Sequence, residues 1–289
     1  MTSTGPVGAP ALAEARRHCA ALARENARDQ WLGALYAPAE RRDALFALAA
    51  FDHEIRQARL RARDPNLAAI RLAWWRGVIC GERQAEAAGN PTALALMSAV
   101  ERFSLPRDDL EAMLDARLEE LAPAEAFDLA AFAAFAAGSE GARLRLAARI
   151  CGGDRADASE AVAPAGLGLA LTRMLAALPA KAGSAPTMFP VDLARRHGAA
   201  MRDFDVRRAS EEVVAACAEA RALAREKLAE AERRLAASPQ AILPAFIPLG
   251  AVGLDLDRLE RDAAKPFEAP PAVSPLRRQW AIWRWARRR

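Results

Sequence analysis

The sequence has little with which to build a sheet, a zinc site or a disulfide scaffold. Among its 289 residues aromatics make up 6%, tyrosine occurs once, at Tyr36, and turn-bounded runs of alternating β-branched residues are not evident. Strands need such residues to fill a pleated surface, so sheet architectures are excluded and an all-α chain is expected. The four cysteines, Cys19, Cys80, Cys151 and Cys217, lie far apart without a C-x-x-C pair. They read as reduced small hydrophobes. His18, His53 and His197 are too scattered for a metal cluster, so none is a predicted ligand. Lysine occurs only at 181, 227 and 265, and 41 basic against 37 acidic residues leave a formal charge of +4. That excess is too weak for a nucleic-acid partner. It is also local, since Arg277, Arg278, Arg284, Arg287, Arg288 and Arg289 crowd one stretch. No N-terminal apolar stretch suits a signal peptide, and the uncharged stretch Ser238 to Leu254 falls short of a membrane span and carries Pro244 and Pro248. The expected location is cytoplasmic, peripheral on the inner face of the plasma membrane should the C-terminal helix dock there.

What is present is alanine, leucine and arginine in helical register, with 53% hydrophobic and 27% charged residues, a globular balance. The pattern predicts a disordered 1–10, a single helical domain over 11–262, a Pro-rich linker over 263–275 and a basic amphipathic helix over 276–289. The organising stretch is Pro38 to Arg61, with Ala44, Leu48, Phe51, Ile55 and Ala58 on one face. Its flank carries Asp52, His53, Glu54, Arg56, Gln57 and Arg61, which are either solvated or look into a cavity. Trp31 to Tyr36 reads as a connector, and Leu67, Ile70, Trp74 and Val78 as a buried face. Asn90-Pro91 starts a helix. Beyond it Leu110, Leu114, Leu118 and Leu121 align opposite Asp115 and Arg117. Gly138, Ser139 and Gly141 interrupt a helix where another crosses closely, and Gly166 and Gly168 are packing glycines. Val213, Cys217, Ala220, Ala224, Leu228, Ala231 and Leu235 form the seam of a long helix. In the C-terminal helix Leu276, Trp280 and Trp283 share a face. Two readings stand: Trp280, Trp283, Trp285, Arg277 and Arg284 meet an anionic bilayer, or Leu276, Trp280 and Trp283 pack on the body.

FALAAFDHEIRQAR, followed by IRLAWWRGVICG, resembles the first signature region of squalene and phytoene synthases. GLALTRMLAALPAKAGSAPTMFPVDLARRHG resembles the second, including Phe189-Pro190-x-Asp192. The resemblance implies an all-α isoprenoid (terpenoid) synthase fold around a central cavity. Active members carry Asp-x-x-x-Asp in each signature, two carboxylates one turn apart that hold Mg²⁺ against a substrate diphosphate. The matching positions here are Arg56, Leu60, Ala177 and Lys181. Ligand charges of −4 become +2, which repels the metal. The loop arginines that would touch a diphosphate are replaced by Ser184-Ala185-Pro186-Thr187. Asp52 and Glu54 are read as lying off the catalytic turn.

The subgroup comprising the complex I assembly factors of mitochondria has Glu-x-x-Gln in the first signature, as Glu54 and Gln57 do, and a proline where Pro179 stands. The Arg-over-Lys, Ala-rich usage fits a bacterium of high genomic GC. The resemblance therefore implies a degenerate synthase that binds respiratory complex subunits or assembly factors, with no cofactor. Two alternatives remain: a prenyltransferase with rearranged ligands, which would need Mg²⁺, and an isoprenoid or lipid binder without turnover. Polar candidates for a retained cavity are His53, Glu54, Gln57, Asp115, Arg117 and Arg173, of which Glu54 and Arg173 could instead simply pair with each other.

Overall fold

The computed structural model describes residues 8–61, 65–121, 127–152, 160–179 and 188–288, the side chains at 59–61 and 65 excepted. The described residues form helices and no strand, as the composition predicts. In chain order they are α1 (Ala9–Asn26), α2 (Arg28–Ala34), α3 (Ala39–Arg61), α4 (Pro65–Cys80), α5 (Gln84–Gly89), α6 (Pro91–Phe103) and α7 (Arg107–Glu119). There follow α8 (Leu129–Ala136), a π-helical turn (Ala137–Gly141), α9 (Ala142–Gly152), α10 (Val162–Ala177), α11 (Val191–Arg196), α12 (Met201–Asp205) and α13 (Glu211–Leu235). A 3₁₀ turn (Gln240–Ile242), α14 (Leu243–Phe246), α15 (Leu249–Arg261) and α16 (Pro275–Ala286) complete the order. The chain divides into two compact units, each assembled from separated segments. One comprises Met1–Arg117, Ala142–Ala158 and Pro239–Pro248; the other comprises Leu118–Gly141, Ser159–Ser238 and Leu249–Arg289.

In the first unit α3 is the central element, packed on by α1, α2, α4, α6 and α9. Ala44, Leu48, Phe51, Ile55 and Ala58 are all buried, as their spacing predicts, and Leu45 to Ala50 are buried with them. A helix so enclosed needs small residues to let its neighbours approach, which is what alternating alanines supply. Trp31 to Tyr36 is not a plain connector, because residues through Ala34 belong to α2. The α4 face also differs from the expected one. Leu67 and Ile70 are exposed, and Ala68, Leu72, Trp75, Val78 and Ile79 are buried instead. Apolar residues surround the α4 axis, so periodicity offers two stripes, and the edge-on contact of Trp75 with Phe51 at 4.9 Å selects one. Gly81, at φ 83°, ends this helix in the left-handed conformation that glycine adopts without penalty. Asn90 caps α6, its side chain accepting from the Ala93 N–H at 3.0 Å. At the far end of α9, Arg41 donates to the carbonyls of Ile150 and Cys151 at 2.6 and 2.7 Å, satisfying acceptors the helix leaves open.

In the second unit α10 lies along α13. The predicted seam is observed, with Val213, Cys217, Ala220, Ala224, Ala231 and Leu235 buried and Leu228 half-buried. Gly168 explains the close approach: a Cβ there would lie 2.7 Å from Leu228 Cγ and 3.2 Å from the Ala224 carbonyl. Phe189 stacks on Phe204 at 4.4 Å, and Phe204 meets Phe267 edge-on at 6.2 Å. Phe267 is buried, so the segment predicted to be a linker is anchored within its unit. Arg207 reinforces this anchor, donating to the carbonyls of Pro179 at 2.9 Å and Phe267 at 2.5 Å. The reading that packs Leu276, Trp280 and Trp283 inward is overturned. α16 buries Ile282 and Trp285, and the other three are exposed. Trp285 is held by its indole N–H donating to Glu232 at 2.8 Å.

Candidate functional site

The first signature lies on α3 in the first unit. Asp52 is buried, and it accepts from Arg56 Nε at 2.9 Å along an i,i+4 pair. A spacing of four puts Asp52 on the same face as Arg56, one turn earlier and so off the catalytic turn. His53 and Gln57 are half-buried. Half-buried Glu54 accepts from the Thr92 hydroxyl of α6 at 2.5 Å. The Leu60 side chain lies outside the described residues.

Two candidates on α7 separate. Arg117 is buried, only 3% exposed, on a helix that otherwise buries leucine and methionine. Asp115 is exposed and forms an ion pair with Arg76 of α4, so it leaves the cavity-lining set. Its place on the solvent side follows from helix geometry, because Leu110, Met113 and Leu114 take the inward face.

The second signature lies on α10 in the second unit. Arg173 is half-buried and forms an ion pair with Glu140, whose side chain is 2% exposed. Glu140 belongs to the π-helical turn, where the widened backbone re-aims side chains relative to the α-helix before it. Gly166 permits α10 to come close to this turn, since a Cβ there would sit 3.0 Å from the Gly141 nitrogen. This is the close crossing that the small residues predicted. Beside Glu140, the Ser139 hydroxyl is buried without a hydrogen-bond partner among the described residues. Glu54 and Arg173 each have a partner within their own unit, Thr92 for the one and Glu140 for the other. Ala177 is exposed at the end of α10, and Lys181 lies outside the described residues.

Sequence reasoning passed over Glu140, and it named Asp52 without its pairing to Arg56. For Asp52 the signal was the four-residue spacing to Arg56. For Glu140 it was an acid set between Ser139 and Gly141 within an apolar run, a place where a charge must find a counter-charge or stay in water.

The donor set does not suit Mg²⁺. That ion wants several oxygen ligands free of competing cations, and at position 56 a guanidinium takes the neighbouring carboxylate. Among the described residues no group of three or more His, Cys, Asp or Glu is disposed to hold a metal. Thiol chemistry is also disfavoured at the buried cysteines. Burial pushes Cys19, Cys151 and Cys217 up to about 12, where the nucleophilic thiolate is scarce. Elsewhere in the second unit, a groove of about 490 Å³ is lined by Leu254, Asp257, Glu260, Arg261, Val273 and Arg277. Its acids, Asp257 and Glu260, are tied to Arg225 at 3.0 and 2.5 Å.

Residues 23–284 match the squalene/phytoene synthase family. Similar curated relatives are complex I assembly factor 6 of Bos taurus and of Homo sapiens. Each is 25% identical, over 188 and 187 residues respectively, 65% of this chain. The matched stretch spans 56% of the length of those relatives. Among solved structures, YisP from Bacillus subtilis superposes with a TM-score of 0.73 at 16% identity, covering 98% of this chain and all of that one. Squalene synthase HpnC from Alicyclobacillus acidocaldarius gives 0.71 at 17% identity, covering 90% of this chain and 98% of the other. A dehydrosqualene synthase in complex with ligand gives 0.74 at 15% identity, covering 94% and 95%. These likenesses establish the isoprenoid synthase fold, and the match over residues 23–284 shows that the chain belongs to the squalene/phytoene synthase family.

Proposed function

We propose that this chain is a non-catalytic member of its family that binds components of a respiratory membrane complex during assembly. The observation carrying this reading is the pair Asp52–Arg56 on α3, a carboxylate neutralised by a cation at the position where the resemblance implies a magnesium ligand. Ionising an allylic diphosphate requires its developing negative charge to be met by divalent metal or an equivalent preorganised cation array. A helix face that neutralises its own acid offers no seat for that metal. The likeness to the curated relatives named complex I assembly factor 6 supplies the positive half of the proposal.

The test has two arms. Purified protein is incubated with farnesyl or geranylgeranyl diphosphate and Mg²⁺, and diphosphate release and condensed product are scored. Neither is expected, and turnover at an enzyme-like rate would replace this reading with a prenyltransferase one. In the second arm the gene is deleted in its host. Loss of assembled complex I on native gels, with isoprenoid products unchanged, is the expected outcome. Unchanged complex I would remove the assembly role.

A further inference from the structure

The C-terminal helix α16 presents two faces with different tasks. Its inner face is committed. Ile282 is 1% and Trp285 9% exposed, and Trp285 Nε1–H donates to Glu232 of α13. Arg278 donates to Asp255 of α15 at 2.6 Å, and Gly250 of α15 leaves room for the Trp285 ring, since a Cβ there would lie 2.6 Å from Trp285 Cβ. The helix is thus fixed in orientation by contacts within its unit.

The outer face is large and apolar. Leu276, Trp280 and Trp283 follow at steps of four and three and are 79%, 59% and 37% exposed. The two indoles stack at 4.7 Å, and the Arg287 guanidinium lies 4.9 Å from the Trp283 ring. Arg277, Arg284 and Arg288 recur at steps of seven and four, so they run along one flank of this stripe, and all are exposed. No acidic residue occurs after Glu268.

We propose that this outer face docks α16 flat on an anionic bilayer surface, with Trp280 and Trp283 at the interface and the arginine flank at the head groups. Charge complementarity selects the occupant. An acid-free arginine row beside exposed tryptophan is the pattern of an interfacial helix, whose rings sit where hydrocarbon meets water. A second copy is disfavoured because it brings arginine against arginine. Three side chains of this size also bury roughly 600 Å² at most, short of the ~800 Å² per partner of a stable interface. Among the described residues no helix is long and apolar enough to cross a membrane, so a docked helix lies on the surface.

The experiment is co-sedimentation of the full chain with phosphatidylcholine vesicles, with and without about 30% phosphatidylglycerol. At about 0.1 M salt the anionic vesicles are expected to carry the protein down and the neutral ones to leave it in solution. Arg277→Gln with Arg284→Gln should weaken binding about 25-fold, near fivefold for each arginine. Trp280→Ser with Trp283→Ser should abolish it while the circular dichroism melt is kept, because both side chains lie outside the core. The proposal is overturned by equal binding to neutral vesicles, by no binding to anionic ones, or by unchanged binding of the tryptophan variant. A concentration-dependent dimer that disappears in the tryptophan variant would likewise overturn it and assign the face to a second copy.

Discussion

Replacing Arg173 with methionine tests whether the Glu140–Arg173 pair is a structural element of the second unit. Glu140 is 2% exposed on its side chain and Arg173 36%, so the acid is buried deep and the guanidinium reaches partly into water. Removing one partner of a fully buried pair costs about 3–5 kcal/mol, because the remaining charge is left in a low dielectric. Solvent around Arg173 already screens the pair, which lowers the expected cost to roughly 2–3 kcal/mol. The second variant is Glu140→Leu with Arg173→Met. Replacing an ion pair by apolar groups of similar volume is often neutral, so this double variant should recover most of the loss. The assay is urea unfolding of wild type, both single variants and the double, closed as a cycle. A coupling of at least about 1 kcal/mol is expected, well above the ~0.5 kcal/mol within which independent sites add. If Arg173→Met unfolds with the wild-type midpoint and the coupling is near zero, the pair is an exposed contact of no structural weight and the reasoning fails.

Two glycines of the second unit should respond oppositely to alanine. Gly168→Ala places Cβ 2.7 Å from Leu228 Cγ and should cost about 1–3 kcal/mol. Gly253→Ala meets nothing within 4 Å on α15 and should gain up to about 1 kcal/mol from helix propensity, both read from thermal or urea midpoints. The buried thiols predict an alkaline weakness. Cys19, Cys151 and Cys217 are raised from 9.0 to about 12 by burial, so the folded state keeps them protonated when the unfolded chain ionises. Their contribution is full below pH 9 and is lost as pH rises from 9 towards 12, with a slope of roughly 1 to 1.5 kcal/mol per pH unit for each thiol. Cys217→Ala should flatten the fall in urea midpoint over that range by one thiol's share; an unchanged slope would refute the assignment.

Much of the fold was legible because helical periodicity is a strong signal wherever a helix has one apolar face. The α3 stripe, the Asn90 cap and the α13 seam all follow from spacing and capping chemistry. The failures fall where that signal is degenerate. α4 is apolar around its axis, so Leu67 and Ile70 were as good a face as Ala68 and Leu72 until Trp75 found Phe51. α16 carries tryptophan on two sides, and tertiary contacts, the burial of Ile282 and the bond from Trp285 to Glu232 among them, decide which side is inward. The α12 segment is too short to show a period. Glu140 was hidden for a different reason: a π-helical turn breaks the 3.6-residue count, so the direction of its side chain cannot be extrapolated from the helix preceding it.

The two ion pairs of the signature helices make one physical point together. A carboxylate withdrawn from water needs a counter-charge, and either a bound cation or a side chain can provide it. At Asp52 and at Glu140 a guanidinium from the same chain provides it. The requirement is therefore met within each unit, by groups that fold with it, and does not wait on a dissolved ion.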